Sequence, residues 1–450
     1  MNSKALVLAA LKNQETPRAP LVPFVGCHAA KLIDVTAEEF FKSSDLIVKG
    51  VEAAVKRYRP DGIPALFDLQ LEAEALGCGL KWADKNPPSV ATHPLEDGKK
   101  LSDLTVPTEN DARFPVVLEA MRKLSQTIGN DIALFGLITG PFTLALHLQG
   151  TDIFFDMIDE PEKTHELLKF CEEVCIATSK MYIDAGCDII AIVDPMTSQI
   201  SPSNFEEFVA PYCTNIYNYV RSRDKAVSLF VCGDATNNIE SMCKSGPDNL
   251  CIDENIPLEY VRDTCQKYGV SFGGNIKLTV TMLFGSVADN VNDAMNCLAI
   301  GGNKGYILAP GCDMPFDVPF ENCEAVAAVA HGEIADIMES VSPLDGIEVK
   351  LPDYTDQSTV YIDVITLDSA SCAPCQYMME AVRTAADGLG NLVVAEHKVK
   401  EKEAVAVMLK LGVANIPTIC IDGEIKFISI IPDNDTLVAA FSEARNKKGL

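Results

Sequence analysis

Short apolar runs recur along the first 340 residues, and each is followed by a polar or glycine-containing turn and then by a stretch with helical spacing of apolar positions. A run of four to eight apolar residues indicates a buried strand, and strands that alternate with helices predict a parallel sheet. The runs are LVPFVG, DGIPALFD, IALFGLIT, CDIIAIVD, AVSLFV, LCID, VSFGGN and GYILAP. Eight repeats of this kind predict an α/β fold, a (β/α)8 TIM barrel over residues 1–340. Periodicity alone leaves an open doubly wound sheet possible, but no glycine-rich dinucleotide fingerprint follows any run.

The last 93 residues, 358–450, show a different order of elements. The β-branched run STVYIDVITL predicts a strand, and a helix, a strand and a second helix follow it. The stretch VANIPTICIDGEIKFISII predicts a hairpin that turns at Asp422-Gly423, and a last helix closes the chain. We therefore expect a second, small α/β domain at 358–450. Residues 341–357 contain Pro, Gly and acidic residues and are predicted to be a linker.

A Cys-Ala-Pro-Cys motif lies between the first strand and the first helix of this small domain. The free N–H groups and the dipole of a helix N-terminus favour the thiolate of Cys372, and Cys375 lies one turn further on. The alternative, half of a zinc site, lacks a second CxxC. With Ile416-Pro417-Thr418 before a strand, this order resembles the short form of the thioredoxin family. The resemblance implies a redox-active pair, Cys372 and Cys375, and a cis Pro417 beside it.

The composition argues against two classes of binding partner and favours one cellular compartment. A formal net charge of −27 argues against nucleic-acid binding and against anionic membrane surfaces. The N-terminus lacks the features of a signal peptide, and the apolar stretch 132–148 is broken by Gly140-Pro141, so we expect a cytoplasmic protein without a membrane span. Most of the 16 cysteines lie in apolar, helical-looking stretches, where a free cysteine is usually a small core residue.

The ends of the predicted barrel strands are the expected location of a functional site. These ends are rich in thiols and carboxylates: Cys27-His28, Asp68, Thr139-Gly140, Asp194, Cys232-Gly233-Asp234, Asp253-Glu254, Asn275 and Cys312-Asp313. Each aspartate has a plain alternative, because Asp at a strand end often caps a helix. Cys232 and Cys312 end the fifth and eighth strands and are expected to converge in one barrel mouth. Two such sulfurs suit a soft or borderline metal, zinc first, or a disulfide.

Several stretches of the barrel resemble the uroporphyrinogen-decarboxylase superfamily. They are GIPALFDLQLEAEALGC, GLITGPFTLAL, AGCDIIAIVDP, SPSNFEEFVAPY, FGGNI and GYILAPGCDMPFDVPFEN. The last of these and FVCGDATNNI are similar to the branch of corrinoid-protein methyltransferases. Decarboxylases of the family carry an Arg-rich segment after the first strand, whereas this chain has FVGCHAAKLIDV there. We therefore reject porphyrinogen decarboxylation as the main function.

The resemblance to the methyltransferase branch implies a zinc site. In that branch the metal is held by His-x-Cys after the fifth strand and by a cysteine after the eighth, which assigns Cys232 and Cys312 as ligands. The histidine position is Phe230, which cannot bind a metal. His28 or Cys27 is the best replacement, with Asp234 or Glu254 behind them. Otherwise the metal is different or weakly held, or it is absent and the two cysteines act as thiols.

The activity that the resemblance implies is a corrinoid-dependent methyl transfer between a methylcorrinoid and a thiol or similar acceptor. Cys232, Cys312, Asp68 and Asp194 are then expected to be catalytic, and His28, Asn275, Asp234 and, in the tail, Pro417 are expected to line binding positions. The chain has no DxHxxG signature, so the corrinoid should arrive free or on a partner corrinoid protein. Two other hypotheses stay open, a thiol–disulfide oxidoreductase and a protein that handles a metal or metalloid through thiolates.

Overall fold

The computed structural model describes residues 1–333, 349–370, 372–413 and 415–450. The chain forms two compact units, Met1–Ser340 and Val341–Leu450. The predicted linker, 341–357, falls partly on 341–348, which lie outside the described residues. None of the described helices is both long enough and apolar enough to cross a membrane.

The first unit is built on a parallel sheet whose strands are buried on both faces. The sheet has seven regular strands among the described residues, paired in chain order. Burial on both faces explains why the sequence shows continuous apolar runs instead of an alternating pattern. The strands are β1 Gly62–Leu66, β2 Ala133–Thr139, β3 Ile189–Val193, β4 Ala226–Val231, β5 Asn249–Ile252, β6 Ser271–Ile276 and β7 Tyr306–Pro310.

The first predicted run, LVPFVG, does not form a regular strand, but it joins the two edges of this curled sheet. Val22 N donates to Leu308 O of β7 at 2.9 Å, and Gly62 N of β1 donates to Leu21 O at 3.3 Å. Pro23 has no N–H to donate, which interrupts the ladder. The predicted TIM-barrel-like fold is therefore confirmed. Seven regular strands form the wall of the barrel in the described residues, and one irregular segment takes the place of the eighth strand.

Helices follow the strands and cover the outside of the sheet, joined by short 3-10 and π turns. Several have amphipathic spacing, and α14 begins with a capping box in which Ser286 and Asp289 exchange hydrogen bonds. The helices are α1 Ser3–Leu11, α2 His28–Lys31, α3 Ala37–Phe41, α4 Ser44–Tyr58, α5 Leu71–Ala75, α6 Phe114–Thr127, α7 Pro141–Gln149, α8 Ile153–Asp159, α9 Pro161–Asp184, α10 Pro202–Asn204, α11 Ala210–Ser222, α12 Ile239–Ser245, α13 Leu258–Tyr268, α14 Val287–Gly301 and α15 Phe320–Ala330.

The second unit has a four-stranded sheet and three helices. In spatial order the strands are β9 Leu392–Lys398, β8 Val360–Thr366, β10 Thr418–Ile421 and β11 Glu424–Ile428. β8 and β9 are parallel, and the other two pairs are antiparallel. The helices are α16 Ala373–Ala386, α17 Lys402–Lys410 and α18 Asn434–Lys448. Apolar side chains of β8, β10, α16 and α18 form one buried cluster, which is the core of this unit.

The predicted hairpin of the second unit is confirmed. Asp422 and Gly423 are the two residues between β10 and β11, and both have positive φ, 48° and 78°. This is the pattern of a type I′ turn, in which glycine at the second position avoids a steric cost. The Asp-Gly pair therefore fixes the position of the turn locally.

Candidate functional site

Cys232 and Cys312 meet at the carboxyl ends of β4 and β7. Their sulfur atoms are bonded to each other, and their Cα atoms lie 6.0 Å apart although the residues are 80 positions apart in sequence. Both side chains are half-buried. The barrel thus brings together the two thiols that position alone had singled out, and in this structure they form a disulfide.

An aromatic cluster lies beneath this disulfide. Phe230 is fully buried, and its ring centroid lies 4.7 Å from that of Phe24 and 5.9 Å from that of Phe67. Cys232 and Cys312 pack against the same apolar cluster. The position at which the resemblance expects a ligating histidine is therefore filled by a phenylalanine that belongs to the barrel core.

The residues around the pair do not fit the expected zinc. Within residues 1–333 and the described part of the second unit, no group of three or more His, Cys, Asp or Glu is placed to hold a metal ion. Each sulfur of the pair is used in the Cys232–Cys312 bond, and a thiolate, not a disulfide, is the ligand that zinc requires. The described residues therefore offer no zinc site at this pair.

His28 is held by other groups and is not a free ligand in this structure. Nδ1 lies 3.1 Å from Phe316 O and Nε2 lies 2.8 Å from Tyr58 Oη. Burial lowers the pKa of His28 to about 4, so the ring is neutral near pH 7. Cys27, its neighbour, is buried and contacts Met314 O at 3.8 Å. In this structure both side chains are engaged with groups other than the Cys232–Cys312 pair, and the binding role expected of His28 stays a prediction.

The loop Asp253-Glu254 after β5 touches both cysteine turns. Asp253 Oδ2 accepts from Gly233 N at 2.8 Å, next to Cys232. A Cβ on Gly311, next to Cys312, would lie only 2.5 Å from Glu254 N, so glycine permits this close approach. Burial and the charge of Asp253 raise the pKa of Glu254, whose carboxylate accepts a hydrogen bond from Leu278 N. This loop therefore packs against both turns that carry the disulfide.

Asp68 forms a buried ion pair that the sequence analysis did not predict. Its Oδ2 lies 2.6 Å from Arg113 Nη1, and its Oδ1 accepts from Gln70 N at 2.9 Å. Arg113 also donates to Glu74 Oε2 at 2.7 Å, and its guanidinium lies 4.8 Å from the ring centroid of Trp82. Asp68 thus fixes the chain at the end of β1. The position of Arg113, directly before an apolar helix, was the available signal.

Asp194 caps a helix, but it is the earlier helix α7 and not the next helix along the chain, which was the alternative considered from sequence. Its oxygens accept from Phe142 N at 3.1 Å and from Thr143 N and Oγ1 at 2.8 and 2.6 Å, at the first turn of α7. Burial raises the pKa of Asp194 to about 6 despite these bonds. These three donors hold the buried carboxyl of Asp194 at the first turn of α7, and its catalytic role stays a prediction.

Asn275 and Asp234 also bind nearby backbone. Asn275 Nδ2 donates to Ile256 O at 2.7 Å and to Asp253 O at 3.2 Å. Asp234 Oδ1 accepts from Thr236 N at 3.1 Å and from its hydroxyl at 2.5 Å. Asn275 therefore positions the Asp253-Glu254 loop, and Asp234 shapes the turn that follows Cys232.

Glu72 is a buried carboxyl group that the sequence did not single out as a site residue. It accepts from Thr139 N at 3.2 Å and from Thr139 Oγ1 at 2.9 Å, and Thr139 Oγ1 also donates to Leu69 O at 2.7 Å. Burial raises the pKa of Glu72 to about 7. Two acidic residues, Glu72 and Glu74, in the otherwise apolar sequence LEAEALGC were the available signal. The hydrogen bonds of Glu72 connect α5, which follows β1, to the end of β2.

The dithiol of the second unit lies where the sequence placed it. Cys372 is the N-cap of α16 and is half-buried, whereas Cys375 is fully buried and accepts from Leu367 N at 3.4 Å. Burial raises the pKa of Cys375 well above its usual value. The Ile416–Pro417 peptide bond is cis, as the resemblance implied. The two thiols therefore differ in access and in proton affinity.

We expect Cys372 to react first with an alkylating reagent in the reduced protein. It is half-buried at a helix N-terminus, whereas Cys375 is buried and its raised pKa disfavours the thiolate. Brief labelling with iodoacetamide at mildly acidic pH, read by peptide mass spectrometry, checks this order. Cys372→Ser is the control and should lose the fast label. Labelling of Cys375 ahead of Cys372 would reverse the assignment of attacking and resolving thiols.

Each of the two units matches a known protein family. The model of the uroporphyrinogen decarboxylase (URO-D) family matches residues 2–332, and a thioredoxin-domain model matches residues 360–442. A methyltransferase from Methanosarcina mazei has a similar solved structure, with a TM-score of 0.69 and 25% identity, over 74% of this chain and 100% of that chain.

Two curated relatives represent two activities in this family. The methylcobamide:CoM methyltransferase MtbA of Methanosarcina acetivorans is 26% identical over 333 residues, 73% of this chain and 97% of MtbA. A uroporphyrinogen decarboxylase of Carboxydothermus hydrogenoformans is 24% identical over 342 residues, 72% of this chain and 95% of the relative. The chain belongs to the uroporphyrinogen decarboxylase family and carries a C-terminal thioredoxin domain.

Proposed function

We propose that this member of the uroporphyrinogen decarboxylase family moves a methyl group from a methylcorrinoid to a small thiol at the mouth of its barrel. The observation that carries the proposal is the meeting of Cys232 and Cys312 at the ends of β4 and β7. The similarity to MtbA along nearly its whole length supports the same reaction class. The segment FVGCHAAKLIDV contains no arginine, which argues against decarboxylation of a polycarboxylate.

Methyl transfer to sulfur makes two demands on the protein. The bond between carbon and cobalt breaks and its electron pair stays on cobalt, while a lone pair of the acceptor sulfur forms the new bond to carbon. A thiolate is the nucleophile, so the acceptor must lose its proton and then lie in line with the methyl group. The site therefore needs a base and a surface that orients the acceptor.

The reduced cysteine pair meets the first demand. A thiolate is a suitable base for an incoming thiol because the two groups have similar proton affinities, so proton transfer between them is nearly balanced. Glu254 packs with its backbone against the turn of Cys312, whereas its carboxylate accepts a hydrogen bond from Leu278 N. The buried rings of Phe230, Phe24 and Phe67 form an apolar floor under the pair and keep water from that side.

The partners in this proposal follow from the chemistry. The methylcorrinoid is a substrate, delivered free or on a partner corrinoid protein, and the acceptor is a small thiol. The name of MtbA gives a methylcobamide and CoM as that enzyme's substrates, so CoM is the first acceptor to test here.

The test is thiol-dependent demethylation of methylcobalamin by the reduced chain. We expect the visible spectrum of the corrinoid to change at a rate proportional to protein concentration, with formation of the S-methyl thioether seen by mass spectrometry. A phosphine is the reductant of choice because it opens disulfides and is not itself a thiol acceptor. CoM and a panel of small thiols should be compared, with free and with protein-bound methylcorrinoid.

Two results would contradict the proposal. One is a rate equal to that without protein for every thiol tried, with full reduction confirmed by thiol counting. The other is a rate that the same phosphine supports without any added thiol. The protein heated past its unfolding transition is the control for chemistry in solution.

A thiol–disulfide oxidoreductase is the second candidate. One observation favours it: the chain holds a disulfide in the first unit and a free CxxC dithiol in a thioredoxin domain. This candidate predicts disulfide exchange without any corrinoid chemistry. Demethylation activity in the reduced protein separates the two, because only methyl transfer consumes methylcobalamin.

A further inference from the structure

The cysteines that are not buried in this chain belong to two pairs. All 16 cysteines lie in the described residues, and the 13 others are buried. The half-buried ones are Cys232 and Cys312, which form the disulfide, and Cys372, the first residue of the CxxC motif. An accessible thiol and an accessible disulfide are the two reactants of disulfide exchange.

The buried cysteines are poor competitors in such an exchange. Burial raises the pKa of Cys171, Cys175 and Cys213 well above the usual thiol value, and raises those of Cys187 and Cys251 to about 12. A thiol that is buried and protonated is a weak nucleophile, and a disulfide in another part of the chain does not reach it. Cys375 is also buried, but it is one turn from Cys372 in the same motif and therefore has only to attack its neighbour. Among the cysteines of this chain, Cys372 therefore has one disulfide available to it.

We propose that the dithiol of the thioredoxin domain reduces the Cys232–Cys312 disulfide of the barrel. Cys372 thiolate attacks one of the two barrel sulfurs, which breaks the Cys232–Cys312 bond, forms a mixed disulfide and releases the other sulfur as a thiolate. Cys375 then attacks Cys372, which breaks the mixed disulfide and releases the second barrel sulfur. Two electrons pass from the tail pair to the barrel pair, and the released thiolates take protons from solvent.

The tail leaves this reaction as a Cys372–Cys375 disulfide, and a dithiol reductant from outside the chain must reduce it for the next cycle. The two pairs belong to one polypeptide, so in this proposal the exchange is intramolecular and its rate is governed by an effective concentration that the protein concentration does not change. Reduction of the barrel pair would restore the two thiols that methyl transfer uses. This last consequence rests on the proposed function, whereas the exchange itself does not.

Trapping the mixed disulfide tests the exchange directly. Cys375→Ser removes the resolving thiol, so the reaction should stop after the first step. The variant is oxidised, treated with limiting dithiothreitol, desalted, incubated, quenched with an alkylating reagent and digested without reduction. We expect one disulfide-linked peptide pair that joins Cys372 to Cys232 or Cys312, with the other barrel cysteine alkylated. Its fraction should not change with protein concentration.

Matched variants make the result specific. Cys420→Ser removes a buried cysteine of the same unit outside the CxxC motif, and it should give two alkylated barrel thiols and an oxidised tail pair. Cys372→Ser should keep the barrel disulfide, and an equimolar small thiol should open it at least about 100-fold more slowly than the intact tail does. Circular dichroism checks that each variant is folded.

Two outcomes would overturn the inference. One is a Cys375→Ser protein in which Cys372 stays a free, alkylated thiol while the Cys232–Cys312 peptides stay linked. The other is reduction of the barrel pair at equal rates in Cys372→Ser and wild type. Neither readout depends on methyl transfer, so a failure here is distinguishable from a failure of the proposed function, which is measured in fully reduced protein.

Discussion

Cys232→Ser is expected to lower the kcat/KM of thiol-dependent demethylation of methylcobalamin on the order of 10²- to 10⁴-fold in fully reduced protein, the usual contribution of a positioned base. Serine has a similar shape, but its hydroxyl stays protonated near pH 7 and so cannot take the proton of the acceptor thiol. Cys312→Ser should lower the rate in the same direction. The measurement is the initial rate of the spectral change with phosphine as reductant.

The matched control is Cys243→Ser. Cys243 is another cysteine of the barrel unit, buried on α12 with its sulfur 3.6 Å from that of Cys265. Its replacement should leave kcat/KM within about threefold of wild type, and thermal unfolding should be recorded for all variants. If Cys232→Ser keeps a wild-type rate while folded, the sulfur pair has no part in the chemistry, and the site must be placed elsewhere in the barrel.

Arg113→Met is expected to lower the free energy of unfolding of the barrel by about 3–5 kcal/mol, because it leaves the buried charge of Asp68 without its partner. The side chains of Asp68 and Arg113 are 1% and 9% exposed, and their charged atoms lie 2.6 Å apart. Urea unfolding followed by tryptophan fluorescence measures this change, since the single tryptophan, Trp82, lies in the barrel unit next to Arg113.

An exposed ion pair supplies the control for this prediction. Arg122 and Glu109 lie 3.2 Å apart with side chains 49% and 61% exposed, so Arg122→Met should cost no more than about 1 kcal/mol. The double variant Asp68→Asn/Arg113→Met should recover part of the lost stability, because it removes both charges. Equal effects of Arg113→Met and Arg122→Met would show that the buried pair makes no special contribution.

The elements of this protein could be predicted from sequence because their signals are local. Each barrel strand is buried on both faces, so it appears as a continuous apolar run. The turn at Asp422-Gly423 is set by two residues that tolerate positive φ. The helix start at the CxxC motif follows directly on a β-branched strand. The first run, LVPFVG, was predicted as a strand and forms only an irregular segment, in which Pro23 lacks the N–H that a strand ladder uses.

The convergence of Cys232 and Cys312 could also be predicted, since the ends of parallel strands in a barrel meet at one mouth. Their bonding to each other could not. From sequence, the two sulfurs could equally bind a metal or bond to each other. Which of these occurs depends on the side chains that surround the two strand ends. The core packing of Phe230 and the hydrogen bonds of His28 leave no third donor beside the pair in the described residues.

The roles of the carboxylates were decided by tertiary structure alone. From its place in sequence Asp194 was a catalytic candidate, yet it caps a helix that begins 53 positions earlier, at Pro141. Asp68 pairs with Arg113, which lies 45 positions later. Local periodicity reports backbone conformation and burial, whereas a side chain's hydrogen-bond partner is set by which distant segment folding brings within about 3 Å. The sequence by itself therefore determined the strands, the turn, the dithiol and the strand ends where chemistry is expected, and only the packed barrel determined which of those end residues are committed to holding the fold.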